Sequence, residues 1–398
     1  MTGPTDVSPA NQSLDERRSL ETVALLFLKL GTIAFGGPAA HIAMMNGEVV
    51  ERRRWMTREK FLDLLGAASL IPGPSSTELA IYIGYIKAGW PGLLLGGICF
   101  ILPATLIVSA FAWAYVRFGS LPEITGILYG VKPVVIVIVV QAISQLGRTA
   151  LKTRFLSAIG VCALVASLLG ANQLVVLLSA GLLALTANQA RNRLQRISAE
   201  SQAGWLATPF AIGLQSGATA LSSVGLWPLF LFFLKIGSIV FGSGYVLLAF
   251  LRSDLVEHLH WLTNSQLLDA VAIGQVTPGP VFTTATFIGY ILAGSRGAFV
   301  ATLGMFLPSF ILVAVSGPLL PRIKRSTITG PFLDGVSVAA VALMAAVTLQ
   351  LGRVALIDFP TVLIAIFGAI AAFRFRLNST WLVLGGAAIG AAAHVLIK

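Results

Sequence analysis

Charge is what this chain has least of. Only 11% of its 398 residues are Asp, Glu, Lys or Arg, against about 25% in an ordinary soluble domain. Residues 92–114, 134–144 and 155–187 carry none, and apolar runs of about 20 residues are membrane-crossing helices. A soluble architecture is excluded on that ground. Cysteine is nearly as scarce: Cys99 and Cys162 lie within apolar stretches, so no disulfide framework is indicated. The four histidines, His41, His258, His260 and His394, show no metal-ligand spacing and read as loop or helix-end residues. No metal and no cofactor is therefore expected. Nothing resembles a hydrolytic triad or a phosphate-binding P-loop. An enzyme and an ATP-driven pump are both disfavoured, which leaves an ion gradient as the energy source. Residues 1–20 lack the apolar core of a secretory signal and read as a polar tail.

The chain does carry a net charge of +11. Its basic residues sit in short loops between apolar segments, so they are read as topology signals rather than as a nucleic-acid footprint. No nucleic acid is expected as a partner.

Two proline-glycine-proline triplets interrupt the helix-like sequence: Pro72–Gly73–Pro74 and Pro278–Gly279–Pro280. Prolines cannot continue a regular helix, because each removes an amide donor and clashes with the preceding turn, yet proline suits the first turn of a new helix. Each triplet is therefore a place where one helix ends and another starts at membrane depth. Broken backbone is tolerated there only inside protein or beside a wet cavity. The new helix offers free N–H groups and a positive dipole end, which suit an anion.

The triplets belong to a longer repeat. Residues 27–37 (FLKLGTIAFGG) return as residues 233–243 (FLKIGSIVFGS), with seven of eleven positions identical at an offset of 206. Trp55 and Trp261 match at that offset, as do Asp63 and Asp269. Beyond the triplets the offset drops by one, pairing Gly84–Tyr85–Ile86 with Gly289–Tyr290–Ile291, Leu102–Pro103 with Leu307–Pro308, Gly130 with Gly335, and residues 145–148 with 350–353. The chain thus divides into a tail (1–20), a first repeat (21–190), a linker (191–226) and a second repeat (227–398). Longer spans in the first repeat are expected near 91–116, 124–147, 154–170 and 172–189, with a pair of short segments around the triplet that could form a re-entrant hairpin.

Loop charges alternate between the copies. Residues 51–60 hold five basic and two acidic residues, whereas 252–262 hold one basic and two acidic. Arg322, Lys324 and Arg325 reverse the bias in the next loop, Arg148, Lys152 and Arg154 reverse it again, and Arg374 and Arg376 face an uncharged turn near 170–172. The positive-inside rule then places equivalent loops on opposite membrane faces. The expected fold is an all-α polytopic membrane protein: two inverted-topology repeats whose broken helices meet near the membrane midplane. Residues 51–60 are placed in the cytoplasm and the C-terminus in the periplasm of a bacterial inner membrane. Two parallel repeats are the alternative.

Several residues could carry chemistry. Lys29 and Lys235 lie inside apolar segments and would either offset an anion's charge or snorkel to an interface. Gly36, Gly37, Gly242 and Gly244, beside Phe35, Pro38, Phe241 and Ser243, would either bring backbone amides to a ligand or permit tight helix packing. Ser75, Ser76, Thr77, Thr283 and Thr284 open the helices after the breaks, as oxyanion donors or as simple caps. Glu78 stands beside them and has no acidic counterpart in the second repeat. It is a candidate proton carrier, unless it only favours the helix dipole. Asp63 and Asp269 are further proton-coupling candidates, or else salt-bridge partners of lysines. Arg148 and Arg353 read as lipid-headgroup anchors.

Together, the Phe-Gly-Gly-Pro of residues 35–38, the Phe-Gly-Ser-Gly-Tyr of residues 241–245, the two Pro-Gly-Pro breaks and the Gly-Tyr-Ile after each resemble the chromate ion transporter superfamily in its long, two-domain form. The resemblance runs over essentially the whole chain from residue 21. It implies efflux of chromate from the cytoplasm driven by the proton motive force, as an antiporter conferring chromate resistance, with sulfate as competitor. It also implies functional positions at Phe35, Gly36, Gly37, Pro38, Pro72, Gly73, Pro74, Phe241, Gly242, Ser243, Gly244, Pro278, Gly279 and Pro280. A sulfate or other oxyanion importer or exchanger is the alternative, and a membrane-embedded enzyme or scaffold a third reading. The expected partners are chromate, protons and the lipid bilayer, with a homodimer as the expected oligomer.

Overall fold

A computed structural model describes residues 9–119, 121–197, 225–240, 246–316 and 329–397. The second Phe-Gly-Ser-Gly motif (Phe241, Gly242, Ser243, Gly244) and linker residues 198–224 lie outside the described residues. Those described are helical, with no strand among them. The first repeat contains α1 (Pro9–Ile33), α2 (Gly37–Asn46), α3 (Arg58–Ala68), α4 (Ser75–Phe118), α5 (Pro122–Ala150), α6 (Arg154–Leu168) and α7 (Gln173–Ile197). The second repeats them as α8 (Leu226–Ile239), α9 (Val246–Leu251), α10 (Asn264–Val276), α11 (Thr284–Ser316), α12 (Thr329–Ala355), α13 (Phe359–Phe373) and α14 (Ser379–Ile397). A π-helical turn follows α2 at Gly47–Arg52 and α9 at Arg252–His258. α1 begins at Pro9, so helix extends into the segment read as a polar tail.

Helix starts recur at repeat-equivalent residues. Thr57 caps α3 by accepting from the Lys60 amide, and Thr263 caps α10 by accepting from the Gln266 amide. Thr153 caps α6, and Asp358 caps α13. Such side-chain acceptors satisfy amides that the first helical turn cannot.

Among the described residues, five helices are long and apolar enough to cross a membrane: Ser75–Phe118, Ile124–Ala150, Gln173–Ala190, Val281–Ser316 and Gly330–Ala355. Exposed Leu102, Leu106, Val116, Phe299, Phe367 and Trp381 give the outer surface the apolar character a bilayer requires. The chain is a multi-pass membrane protein.

α4 is not one straight rod. At Ala88 and Gly89 the backbone leaves the helical region, Gly89 with φ 61°. Residues 75–87 fold back along residues 90–118: a Cβ on Gly96 would meet the Ala80 carbonyl at 2.7 Å, while Gly84 abuts the backbone of Gly92. Pairs 80/96 and 84/92 run in opposite senses, so the limbs are antiparallel. α11 repeats this turn at Ala293 and Gly294, with Gly289 against Gly297 and the Thr286 and Thr302 hydroxyls bonded at 2.7 Å. Glycine is needed where the limbs touch, because a side chain would enter the facing backbone.

The two repeats are interleaved. α5 packs on α13 and α14, and its counterpart α12 packs on α6 and α7. Hydrogen bonds give the directions. Near the start of α5, Tyr129 donates to the Asp358 carboxylate at 2.6 Å; further along, Gln141 donates to the Ala372 carbonyl at 3.0 Å. α5 is therefore parallel to α13. α5 also packs on its own counterpart, α12. Lys152, just past the end of α5, meets Asp334 near the start of α12 at 2.7 Å, while a methyl on Gly147, further back in α5, would lie 4.0 Å from Val341, further along α12. The equivalent helices α5 and α12 therefore run antiparallel. The repeats are inverted relative to one another, as the alternation of loop charge predicts.

Candidate transport site

The sequence breaks meet at the centre of this arrangement. Pro72–Gly73–Pro74 lies between α3 and α4, and Pro278–Gly279–Pro280 between α10 and α11. Gly73 has φ 136° and Gly279 φ 88°, left-handed conformations that only glycine adopts readily. The Gly73 amide donates to the carbonyl of Val240 at 2.7 Å, just before the second repeat's Phe-Gly motif. The Gly279 amide donates to the carbonyl of Ala34 at 2.9 Å, just before the first repeat's. Each triplet thus docks on the residue that precedes the other repeat's Phe-Gly motif. The Ala34 break itself is built on glycine: Gly36 has φ 104° and Gly37 φ 77°, with Pro38 in the first turn of α2.

The scaffold is symmetric, but its polar chemistry is not. At the first triplet the Glu78 carboxylate and the Ser309 hydroxyl lie side by side against Gly73; a Cβ there would meet Ser309 Oγ at 2.6 Å and overlap the Glu78 carboxylate. Glu78 and Thr77 are fully buried, and Thr77 Oγ1 has no hydrogen-bond partner among the described residues. No ion pair to Glu78 occurs among the described residues. At the second triplet, Gly279 faces the Ala104 methyl in place of a serine. Thr283 and Thr284 turn their hydroxyls back onto the carbonyls of Pro280 and Val281, both at 2.8 Å. Ser75 and Ser76 are buried in the first turn of α4.

His41 belongs to this centre, which corrects its reading as a loop or helix-end residue. It is buried in α2, with Nε2 3.0 Å from the Ala34 carbonyl and Nδ1 3.2 Å from Ser76 Oγ. The ring stands edge-on to Phe100. Because a carbonyl only accepts, Nε2 carries the proton, and Nδ1 of the neutral ring accepts from Ser76. Ala34 thereby receives both His41 and Gly279, linking the two breaks through one carbonyl.

Lys29 and Lys235 are placed elsewhere. Lys29 Nζ lies 2.6 Å from Glu48, which Arg52 and Arg53 also approach. Lys235 Nζ lies 2.8 Å from Asp254, the repeat-equivalent carboxylate. Each lysine ties α1 or α8 to the following π turn. Glu48 lies outside the membrane-spanning segments, and its carboxyl is held down to about 2, chiefly by the hydrogen bond from Lys29.

Asp63 and Asp269 differ as well. Asp63 is exposed, whereas Asp269 is buried. Asp269 accepts from the Tyr115 hydroxyl at 3.0 Å and lies 3.5 Å from Lys132, whose ammonium also donates to Ser265 at 2.6 Å. Lys132 and Tyr115 come from the first repeat and Asp269 from the second, so this ion pair crosses between them.

The family model for chromate transporters matches residues 22–185 and 227–391, one copy on each repeat, leaving out the linker. The chain belongs to the chromate transporter family. It is 34% identical to the chromate transport protein of Cupriavidus metallidurans, over 95% of this chain and 94% of that one. It is 34% identical to a probable chromate transport protein of Synechococcus elongatus, over 89% and 90% of the two chains. The chromate transport protein of Pseudomonas aeruginosa is 33% identical, over 92% and 90%. No solved structure matches. These family relatives are named as transport proteins, and a transporter is the class to which this chain belongs.

In this member of the chromate transporter family, both triplets and the inversion are legible in the sequence. The places of His41, Ser309, Lys132 and Tyr115 are not. His41 aligns with Leu247 across the repeat, and Ser309 with Ala104, so neither shows in the internal match. A search for polar residues that break the repeat, rather than for those that keep it, would have found both.

Proposed function

We propose that this chain exports chromate from the cytoplasm of a bacterial cell across the inner membrane, and so confers chromate resistance. The observation that carries the site is the crossed pair of hydrogen bonds, Gly73 to Val240 and Gly279 to Ala34, which tie each triplet to the end of the other repeat's first helix. A tetrahedral dianion would lie among them, its lost hydration offset by first-turn amides and by the Thr77 hydroxyl, the Ser76 proton being held by His41. Lys29 and Lys235, each held by a carboxylate, would act as struts that align α1 and α8 rather than as ligands.

The proton motive force acts on such an ion largely through its electrical part. Moving one charge through 100 mV is worth about 2.3 kcal/mol, so an outgoing dianion gains about twice that from an inside-negative potential. Glu78 would be the residue through which protons act. An ionised Glu78 beside the site repels the anion; a protonated one does not and can donate a hydrogen bond to it. Alternating access would arise as the two repeats exchange conformations.

Chromate flux from proteoliposomes, with membrane potential and pH gradient imposed separately, tests this reading. Export that follows the potential, is modulated by pH and is competed by sulfate is the expected result. Absence of flux for either anion, from protein shown to be folded, would overturn it.

A further inference from the structure

A cavity bearing cationic side chains opens beside α5, apart from the buried triplets. It occupies about 490 Å³ between the end of α5 and the loop joining α13 to α14. Its lining includes Gln141, Gln145 and Arg148 on one side and Arg376 and Asn378 on the other, and it reaches inward to Gly36. Gly36 is the residue just before α2, so the cavity runs from two guanidinium groups to the positive end of a ten-residue helix. Neither arginine forms an ion pair among the described residues. Arg376 is held at φ 52°, a left-handed backbone unusual for a residue with a side chain.

The repeat-equivalent positions are engaged differently. Gln350, the counterpart of Gln145, accepts a hydrogen bond from Arg252, which also pairs with Glu257. Gln173, the counterpart of Asn378, donates to the Ala249 carbonyl at 2.8 Å. Arg376 itself has Ala171 as its counterpart. The same scaffold therefore leaves these groups facing a cavity in one place and ties them to neighbours in the other. Loop charge places the Arg148 and Arg376 loops on one face, the cytoplasmic one.

We propose that this vestibule is a second oxyanion site, a cytoplasmic capture site for a tetrahedral dianion on its way to Gly36 and the crossed breaks. Guanidinium forks match tetrahedral oxyanions with paired N–H groups. The Gln141, Gln145 and Asn378 amides add uncharged donors. The phosphate of an anionic lipid offers the same chemistry, and the test separates the two sources. The proposal rests on the export reading for its direction of travel.

Binding of labelled sulfate and of chromate to the full-length protein is measured in nanodiscs of phosphatidylcholine and, separately, of phosphatidylglycerol. Wild type is compared with Arg148→Gln, Arg376→Gln and the double variant, and chromate flux is recorded for all four. The capture site predicts that each single variant weakens anion binding about five- to tenfold at low salt, and raises the flux KM with a smaller change in kcat. The loss should appear in phosphatidylcholine, where no anionic headgroup is present. Unchanged anion binding and KM would overturn the inference and leave the export reading intact. Loss of co-purifying phosphatidylglycerol with unchanged anion binding would assign the arginines to a headgroup and also overturn it. No anion binding by the wild type would instead remove the export reading on which it rests.

Discussion

Gly73 and Val240 are joined by a 2.7 Å backbone hydrogen bond across the boundary between the repeats. Its twin, Gly279 to Ala34, closes the same loop in the opposite sense. Neither triplet completes its backbone bonding within its own repeat. The centre of the transporter is thus assembled from both halves at once, and substitutions there should be felt in both.

Gly73→Ala should be the most damaging single methyl addition at the centre. It imposes a left-handed backbone on alanine, at a cost of about 1–2 kcal/mol, and drives a methyl into Glu78 and Ser309. Gly89→Ala shares only the backbone cost, since nothing lies within 4 Å of its added methyl. Thermal unfolding in detergent should therefore show a larger fall for Gly73→Ala, accompanied by loss of flux. Equal falls would mean that the triplet is not packed as described.

The Lys132–Asp269 pair should behave as a unit. Lys132→Met or Asp269→Asn alone strands or removes a charge in a buried setting, at a cost of about 3–5 kcal/mol. The double replacement leaves no unpaired charge and should recover most of that loss. A double-mutant cycle on unfolding midpoints checks this; additive losses would show that the two do not interact.

Glu48 allows a signed pH prediction. Its folded value of about 2 lies below the ordinary 4.5, so the lock to Lys29 contributes stability that is fully present above about pH 5 and fades as pH falls towards 2. The stability gap between wild type and Glu48→Gln should be flat from pH 6 to pH 9 on that linkage and close in acid. It follows that any pH dependence of transport near neutrality has its origin elsewhere in the chain.

Glu78→Gln preserves shape and hydrogen bonding but cannot ionise. Chromate KM for this variant should be indifferent to pH and within about tenfold of the wild-type value at its best pH. Flux measured across a pH series decides it; a pH profile identical to wild type would free Glu78 of the proton role.

His41→Leu installs the residue that stands at the equivalent place in the second repeat. It leaves Ser76 without its ring partner in a buried site, costing about 1–3 kcal/mol. Unfolding midpoints should fall accordingly, and the flux KM should rise because Ser76 is no longer held.

The symmetric part of this molecule was legible in sequence, and the asymmetric part was not. Prolines flanking glycine and small residues at helix contacts are backbone demands, and backbone demands recur wherever the backbone recurs. The alternation of loop charge foretold the inversion because insertion reads those same charges. Glu78 was visible only because a carboxylate is conspicuous in apolar sequence. Ser309 and His41 were hidden by chemistry that sequence spacing does not encode: their partners, Glu78 with Gly73 and Ala34 with Ser76, become neighbours only after the helices cross. Lys29 and Lys235 illustrate the converse. Their recurrence suggested a shared ligand, whereas each has its own carboxylate, nineteen residues on.

The interleaving of α5 with α13 and α14, and of α12 with α6 and α7, bears on how the molecule comes into being. The final packing of the first-made half must wait for the second half to emerge from the ribosome, so folding is obligatorily late. A polypeptide carrying one repeat alone could build this centre only by meeting another that had entered the bilayer the opposite way up. Joining the halves through a linker removes that requirement, because a single insertion event then delivers both orientations in equal number.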